Sequence, residues 1–415
     1  MNTQKHVVII GGGASGVLVA IHLLRQAKSA FQITIIENNA QLGQGIAYST
    51  TSKVHLLNVP NQNMSAFTDN PNHFIDWLQQ QDLPCEPFAF SPRSFYASYL
   101  QDTLKQYSGC QHIQQEAISL QPTQTQNNWQ VSLADGQIIS ATDVVLALGV
   151  FFQPSMHAKY ITNPWPNKID SIPIASNIAL IGSGLSTVDM LLYLKEKNWQ
   201  GSITVLAKNG RLPLIHDVPS FEKKLSIAWP VDQTVRQQLH TFKNYLHTAQ
   251  QQGYTWQAVV DSLRPYTQKI WQNWSETEKR RFVRHLRSKW DRHRHRVAPR
   301  IAEQITQLQA EQFFVMHKAK VDINSVLQLD YDYIIDCRGL MTNYRQASTL
   351  LKQLYADQIF SPGPLGRGIK TRGNGEVQKN LYAIGFALHG ELWESIAVPE
   401  LRSQAASIVE SLLNN

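Results

Sequence analysis

Two glycine-rich turns most constrain the fold of this chain, one beginning at Gly11 and the other at Gly182. The first lies in VVIIGGGASG, residues 7–16, and the second in IALIGSGLST, residues 178–187. Each follows an apolar run typical of a strand and precedes a run typical of a helix, the setting in which such turns bind dinucleotides. One turn of this kind predicts a protein that holds a dinucleotide. Two such turns predict a protein that binds two dinucleotides and moves electrons between them.

The first turn has the complete setting of a dinucleotide site. Gly11 lets the chain turn sharply out of the strand, Gly13 lets the backbone approach a pyrophosphate, and Gly16 lets the following helix pack close to the sheet. The phosphates would then lie at the positive end of that helix, on free backbone N–H groups. A second apolar run ends in Glu37, where an acid accepts hydrogen bonds from ribose hydroxyls. The predicted contacts of this site are Gly11, Gly13, Ala14, Ser15, Gly16 and Glu37.

The second turn is a variant of the first. It ends in Thr187 in place of a third glycine, and threonine is small enough to allow fairly close helix–strand packing. After the next predicted strand, 202–206, the chain carries Lys208 and Arg211 where an acid would bind a ribose 2′-OH. Positive charge there favours a 2′-phosphate, and hence NADPH over NADH; the alternative is that both are ordinary loop cations. The predicted contacts are Gly182, Gly184, Leu185, Ser186, Thr187, Lys208 and Arg211.

Length and composition predict a soluble enzyme of two or three domains. At 415 residues the chain is too long for one ordinary core, and 43% apolar with 17% charged residues does not indicate disorder. The apolar stretch 7–24 resembles a signal peptide or membrane span, but the glycines inside it favour the strand–turn–helix, so no membrane association is expected. Cys85, Cys110 and Cys337 are isolated, which fits a reducing compartment and excludes a dithiol relay. We therefore expect a cytoplasmic protein, and no residue pattern predicts a metal site.

The net charge of +7 arises from one segment. Residues 279–300 contain ten Lys and Arg against one acid, Asp291. A capping box at Ser275 and a break at Pro299 predict one helix across it. Its predicted buried stripe consists of Phe282, Leu286, Trp290, His293 and Val297 beneath a cationic surface. Such a surface is a solvated face or a wall around the NADPH phosphates or an acidic substrate; no nucleic-acid-binding motif accompanies it, and we expect no nucleic-acid partner.

Three further apolar runs predict the remaining strands of the two sheets. Residues 143–149 indicate a strand that returns to the first sheet, 333–337 a strand after the second nucleotide unit, and 380–385 a last buried strand. One dinucleotide fold interrupted by another and completed at the C-terminus resembles the two-dinucleotide-binding flavoproteins. The resemblance implies an α/β fold with two Rossmann-like domains, the NAD(P) domain inserted in the FAD domain. The expected boundaries are 1–172 and 336–415 for the FAD domain and 173–335 for the NADPH domain, with a helical segment at 221–308.

This resemblance assigns cofactors and further contacts. FAD is expected at the first turn and NADPH at the second. Asn58 lies in the segment that in such flavoproteins runs along the cofactor toward its ring, and Gly385 follows the strand that reaches the flavin. Phe386 stands where many relatives carry an aspartate that binds the ribityl chain. The resemblance therefore does not imply this one contact.

The segment 389–402 is expected to lie against the flavin ring. It carries His389, Trp393 and Glu394 before Pro399 opens a helix whose N-terminus would stabilise an anionic reduced flavin. Trp393 could pack on the ring, and His389 or Glu394 could handle a proton near the reacting oxygen. The alternative is that Trp393 belongs to the core and Glu394 pairs with an arginine.

Several strings resemble those of YdhS-type FAD/NAD(P)-binding proteins, which are related to flavin-dependent N-hydroxylating monooxygenases. They are GIAY at 45–48, LLNV at 56–59, MSA at 64–66, WDRHRHR at 290–296 and WESIAVPE at 393–400. The resemblance implies an NADPH-using monooxygenase that acts on a small molecule with molecular oxygen, N-hydroxylation being one form of the reaction. A flavin reductase or dehydrogenase with another acceptor, and a non-catalytic FAD/NADPH-binding sensor, remain as alternatives. Substrate identity and oligomeric state stay open.

Overall fold

Contacts between backbone positions divide the chain into two units. The computed structural model describes residues 4–27, 31–123, 128–165 and 169–414. The first unit consists of Met1–Ser49, Val59–Phe151 and Met341–Asn415, and the second of Thr50–Asn58 and Phe152–Leu340. Each unit is described separately below.

The first unit is built on a six-stranded sheet and a three-stranded antiparallel sheet. Its strands are β1 Lys5–Ile10, β2 Phe31–Ile36, β3 Cys110–Ile113, β4 Ala117–Pro122, β5 Trp129–Leu133, β6 Ile138–Ala141, β7 Asp143–Leu146, β13 Glu376–Gln378 and β14 Leu381–Ala383. The large sheet has the order β13-β14-β7-β1-β2-β3, and β4, β5 and β6 form the small one. In the middle of the large sheet, β1 pairs in parallel with β2 and β7. Its residues 7–10 are all buried, as expected for a parallel strand covered on both faces.

Helices cover the large sheet and carry its connections. They are α1 Ala14–Ala27, α2 Gly45–Tyr48, α3 His73–Gln80, α4 Arg93–Lys105, α14 Thr349–Ala356, α15 His389–Leu392 and α16 Val398–Asn414, with single 3₁₀ turns at Asn61–Asn63, Pro364–Gly366 and Gly385–Leu388. The first helix presents fully buried residues such as Val17 and Ile21, and it packs against both α4 and the C-terminal helix α16. The C-terminal segment therefore belongs to the core of the unit that the N-terminal turn begins.

The second unit contains a five-stranded, all-parallel sheet. Its strands are β8 Tyr160–Ile161, β9 Ile178–Ile181, β10 Ile203–Ala207, β11 Val315–Lys318 and β12 Tyr333–Asp336, in the order β11-β10-β9-β12-β8. The helices are α5 Leu185–Glu196, α6 Pro219–Glu222, α7 Val235–Gln251, α8 Trp256–Leu263, α9 Thr267–Asn273, α10 Glu276–His285, α11 Arg287–Arg294, α12 Pro299–Ala310 and α13 Ile323–Leu327, with a 3₁₀ turn at Arg264–Tyr266. The predicted α/β class with two Rossmann-like sheets is confirmed.

The boundaries differ from those expected from the sequence. The second unit begins at Phe152, not at 173, because β8 is the edge strand of its sheet and pairs with β12. It also takes in Thr50–Asn58, which the sequence had assigned to the FAD domain, and it ends at Leu340 where the sequence placed the boundary after 335. The buried His55 ring explains part of this, since its Nε2 lies 3.1 Å from the carbonyl oxygen of Asp189 on α5.

The basic segment is not one helix. Ser275 does cap α10, but this helix ends at His285, and α11 is a separate helix that ends at Arg294. Pro299 begins α12 and does not end the helix that Ser275 caps. The predicted division into a buried stripe and a cationic surface is also wrong, because Arg294 and Arg296 are buried. Arg296 has only 1% of its surface exposed, and its guanidinium forms an ion pair with Asp261, so that the buried charge is compensated. Part of the charge of this segment therefore serves the internal structure of the unit.

Within the described residues, no helix is both long and apolar enough to cross a membrane. The three cysteines are free thiols; Cys337 is buried, and burial raises its pKa to about 12.

Candidate dinucleotide sites

The turn after β1 is fixed by two close backbone approaches. Gly11 has a φ of +105°, and a Cβ atom there would overlap the carbonyl oxygen of Ala147 at the end of β7. A Cβ atom on Gly16 would overlap the carbonyl oxygen of Gly11 itself. Both positions therefore require glycine for the fold alone, because helix α1 passes directly over the end of the strand.

Gly13 differs from its two neighbours in the turn. A Cβ atom there would lie 3.4 Å from the Cα of Gly45, an ordinary van der Waals distance, with no closer neighbour. The folded chain therefore tolerates a methyl group at Gly13, and the space beside it is available to a ligand. Ala14 and Ser15 begin α1 at this point, so the N–H groups of its first turn lie at the same place.

Glu37 is held in position against the glycine turn. One carboxylate oxygen accepts a hydrogen bond of 2.9 Å from the Gly12 N–H, and the other accepts bonds from Asn39, at 3.0 Å from the backbone N–H and 2.7 Å from the side chain. The oxygen that accepts only the Gly12 N–H retains a second lone pair, which a ribose hydroxyl can use. The predicted acid thus lies beside the predicted turn, with its orientation already set by the backbone.

The tertiary structure brings Gly385 to the same place. A Cβ atom on Gly385 would lie 3.8 Å from the Oγ of Ser15, although the two residues come from opposite ends of the chain. The Gly385 N–H donates to the Oε1 of Gln404 on α16 at 2.9 Å. The residue that follows the last strand therefore lies next to the first turn of α1.

A strained turn follows in the segment expected to contact the flavin. Trp393 has φ 59° and ψ −67°, and the N–H of Glu394 donates to the carbonyl of Leu392 at 2.7 Å. These are the features of a γ-turn of the rare form, which a bulky residue adopts only when its surroundings impose it. The rings of Phe386, His389 and Trp393 stack in series, with 4.9 Å between successive centroids. Trp393 is buried, which is compatible with both the flavin-contact and the core interpretation.

The structure brings one residue from outside this segment, Arg367, into contact with it, and the sequence analysis missed this residue. Arg367 lies with its Nη1 3.4 Å from Nε2 of His389 and its guanidinium 5.8 Å from the centre of the Trp393 ring. Its carbonyl oxygen is so close to Gly390 that a Cβ atom there would overlap it. The cluster of glycines in GPLGRG, residues 363–368, is the only sequence signal that could have pointed to this close packing.

Two polar contacts orient the ring of His389. Its Nδ1 lies 2.8 Å from the carbonyl of Trp393, which can only accept, so Nδ1 carries a proton. Arg367 can only donate, so Nε2 is the acceptor in the 3.4 Å contact with Nη1 of Arg367. A proton-transfer role for His389 would require Arg367 to release Nε2. Glu394 follows Trp393 in the chain and is half-buried.

The second turn, after β9, repeats the arrangement of the first. A Cβ atom on Gly182 would lie 3.1 Å from the carbonyl of Cys337 at the end of β12, whereas one on Gly184 would meet nothing within 4 Å. Gly184 precedes α5, so Leu185 and Ser186 form its first turn, and the fully buried Thr187 takes the place of the third glycine. Gly184 therefore corresponds to Gly13 as the position open to a ligand.

Charged residues follow the two strands that flank β9 in the sheet. Lys208 and Arg211 follow β10 and are exposed. After β12, Arg338 holds both carboxylate oxygens of Asp336 at 2.9 and 2.7 Å, and the hydroxyl of Tyr160 donates to the same carboxylate at 2.5 Å. Burial opposes ionisation of Asp336, but these hydrogen bonds outweigh it and lower its pKa, while burial and the carboxylate raise the pKa of Tyr160 to about 12.

Asn58 belongs to the second unit and not to the first. Its carbonyl oxygen accepts a hydrogen bond of 3.1 Å from Nε2 of His216. Burial, together with the positive charges of Arg296 and Arg294, lowers the pKa of His216 to about 3, so the ring is neutral. The side chain of Asn58 as a flavin contact remains a prediction.

Known proteins resemble parts of this chain in sequence. Residues 8–151 match a family model described as FAD-NAD(P)-binding. Among curated proteins, the chain is 33% identical over 88 residues to the FAD-dependent oxidoreductase oblC of Cochliobolus heterostrophus, covering 21% of this chain and 17% of that protein. It is 23% identical over 209 residues to the uncharacterized protein YdhS of Escherichia coli, covering 45% and 38% of the two chains. The chain thus matches less than half the length of either relative.

Solved structures extend the likeness in fold to the whole chain. The ornithine N-hydroxylase KtzI of Kutzneria sp. 744, solved with reduced FAD, NADP⁺ and L-ornithine, matches with a TM-score of 0.64 at 15% identity over 99% of both chains. The cadaverine monooxygenase DfoA of Erwinia amylovora, solved with FAD, matches with a TM-score of 0.66 at 11% identity, covering 100% of this chain and 95% of that one. The chain therefore has the fold of the two-dinucleotide-binding flavoprotein monooxygenases.

A Cβ atom fits at Gly13 and Gly184 but not at Gly16, and this difference provides a test of the two sites. Gly13→Ala should leave the flavin-free protein as stable as the parent, since its Cβ fits, yet lose at least about tenfold in FAD affinity because the methyl group obstructs the pyrophosphate. Gly184→Ala should retain FAD and instead weaken NADPH binding. FAD content after purification, melting temperature and NADPH titration measure these effects.

Gly16→Ala is the matched control for folding. It should lower the melting temperature of the flavin-free protein, because its Cβ overlaps the Gly11 carbonyl. A fully flavinated Gly13→Ala protein with unchanged FAD affinity would show that the first turn does not bind the cofactor.

Proposed function

We propose that this protein is an FAD-dependent, NADPH-using oxidoreductase whose reaction is the monooxygenation of a small molecule. The observation that carries the proposal is the presence of two separate glycine-rich turns of the dinucleotide-binding type in one chain. Each follows a parallel strand of its own sheet, and each has one glycine open to a ligand. Ligands of open parallel sheets bind at the carboxyl edge. Two such sites are needed when one cofactor reduces the other.

The two sites differ in charge, and this assigns the cofactors. The first has Glu37 fixed beside the turn, and an acid there suits a ribose with free hydroxyls, as in the adenosine of FAD. The match of residues 8–151 to an FAD-NAD(P)-binding family model supports the same assignment. The second has Lys208 and Arg211 and no acid at the end of its second strand, which suits the 2′-phosphate of NADPH.

The likeness in fold to enzymes that hydroxylate ornithine and cadaverine supports monooxygenation, and we propose a small amine as the substrate class. When bound, FAD would accept a hydride from NADPH and, once reduced, react with molecular oxygen. The protein's contribution would be to hold the cofactors and substrate and to exclude water, since water promotes loss of the activated oxygen as peroxide.

The decisive experiment measures NADPH oxidation, oxygen uptake and peroxide in parallel over a panel of amines, amino acids and small acids. A monooxygenase should consume oxygen in step with NADPH when its substrate is present and release little peroxide. NADPH oxidation that depends on another acceptor would instead indicate a reductase or dehydrogenase. Binding of both cofactors without NADPH turnover would indicate a sensor. Gly13→Ala, which should lack flavin, is the control for background oxidation.

We further propose that His389, Trp393 and Glu394 lie against the flavin ring, with Glu394 as the proton-handling group. The strained turn at Trp393 and the nearness of Gly385 to Ser15 support this placement. Because Arg367 and a carbonyl already engage both ring nitrogens of His389, we assign His389 to ring packing and orientation.

Glu394→Gln is therefore expected to lower product formation by about 100-fold, the lower range for loss of a general acid or base, with the flavin spectrum unchanged. Trp393→Phe, which retains a ring in a buried position, should change the flavin absorption spectrum and raise the peroxide yield. If both variants show normal spectra, NADPH oxidation and peroxide yield, the segment 389–402 is a scaffold and the reaction occurs elsewhere.

Cofactor preference gives a separate prediction. Removing one charge-assisted phosphate contact costs about 1.5–3 kcal/mol, which is roughly ten- to hundredfold in affinity. Lys208→Ala combined with Arg211→Ala should raise the apparent KM for NADPH by at least that factor and leave the KM for NADH almost unchanged. Both side chains are exposed, so stability should be unaffected. Equal changes for the two cofactors would contradict the proposed 2′-phosphate site.

A further inference from the structure

Two neighbouring strands of the second unit end at the same level and bring a third cation to the proposed 2′-phosphate site. Ala207, the last residue of β10, is in register with Lys318, the last residue of β11. The pairing continues one residue further, because the Ala319 N–H donates to the Ala207 carbonyl at 3.0 Å. Lys318 therefore leaves the sheet beside the loop that carries Lys208 and Arg211.

That loop is folded onto Lys318. Gly210, between the two loop cations, has a φ of +55°, and a Cβ atom there would lie 3.2 Å from the Cβ of Lys318. The left-handed backbone and the close approach both favour glycine at this position. The base of the Lys318 side chain thus touches the middle of the segment 208–211, and this contact does not depend on the flexible ends of the side chains.

The three cations are not neutralised within the described part of the chain. Lys208, Arg211 and Lys318 are exposed, and none of them forms an ion pair or a side-chain hydrogen bond with a described residue. Other lysines of the same unit do form ion pairs, as Lys195 does with Glu311 and Lys197 with Asp170. Like charges that the backbone holds together repel each other, so a bound dianion would relieve the repulsion and gain charge-assisted hydrogen bonds.

We propose that Lys318 is a specificity-determining residue that contacts the 2′-phosphate of NADPH together with Lys208 and Arg211. The inference rests on the proposed use of NADPH and adds a residue from a different strand, more than 100 positions further along the chain. A 2′-phosphate is the part of the cofactor that distinguishes NADPH from NADH, and the end of the second strand of such a sheet is where the 2′-position is recognised.

The test is a calorimetric titration of the whole, flavin-loaded chain with each of two adenosine nucleotides in turn. Adenosine 2′,5′-bisphosphate carries the discriminating phosphate, and 5′-AMP lacks it. Lys318→Gln should weaken binding of the bisphosphate by about tenfold and leave 5′-AMP binding unchanged. Lys318→Arg, which keeps the charge, should restore most of the lost affinity. Lys243→Ala, at an exposed lysine on α7, is the matched control and should change neither affinity.

The outcomes separate this inference from the cofactor proposal. If Lys208→Ala and Arg211→Ala weaken bisphosphate binding but Lys318→Gln does not, the cofactor proposal stands and the role of Lys318 is refuted. Equal weakening of both nucleotides by Lys318→Gln would also refute it, since the contact would not be with the 2′-phosphate. If no variant at the three positions alters bisphosphate binding, both proposals fail.

Discussion

The close approach of backbone to backbone at the end of β1 is the constraint on which the first unit depends. Gly11 lies against the Ala147 carbonyl, and Gly16 lies against the carbonyl of Gly11, so the backbone at the start of α1 approaches the backbone at the end of β1 directly. This fixes the first turn of α1 at the carboxyl edge of the sheet. Glu37 and Gly385 then reach the same place because the strands that carry them belong to that sheet.

The second unit has the same close backbone approach at its turn but carries charges of the opposite sign beside it. Gly182 approaches the Cys337 carbonyl as Gly11 approaches that of Ala147. Where the first unit fixes a carboxylate with backbone N–H groups, the second presents cations with no acid among them. On the proposed assignment, a similar scaffold serves two dinucleotide sites that differ in their preference for a ribose 2′-phosphate, because the 2′-position is recognised by the loop after the second strand and not by the turn itself.

The sequence predicted the elements whose cause is local. Apolar runs, glycine spacing and the acid at position 37 are read within a few dozen residues, and β1, α1, β2 and the corresponding second set formed as expected. The prediction of a single helix with exposed cations in the basic segment was wrong because the cause of its structure is not local. Its periodicity predicts a helix with exposed cations, but Asp261 and the ring of Trp256, both from α8, provide a buried environment for Arg296 that no pattern within 279–300 contains.

What the sequence determined by itself is therefore the class of fold, the two turns and the sign of the charge beside each, because these follow from backbone sterics and neighbouring residues. Only the tertiary structure decided which distant residues join those turns. It placed Gly385 beside Ser15, Arg367 beside His389 and Lys318 beside Gly210, and it moved Asn58 into the second unit. Such neighbours come from the order of strands in a sheet and from the packing of separate segments, and sequence spacing carries no information about either.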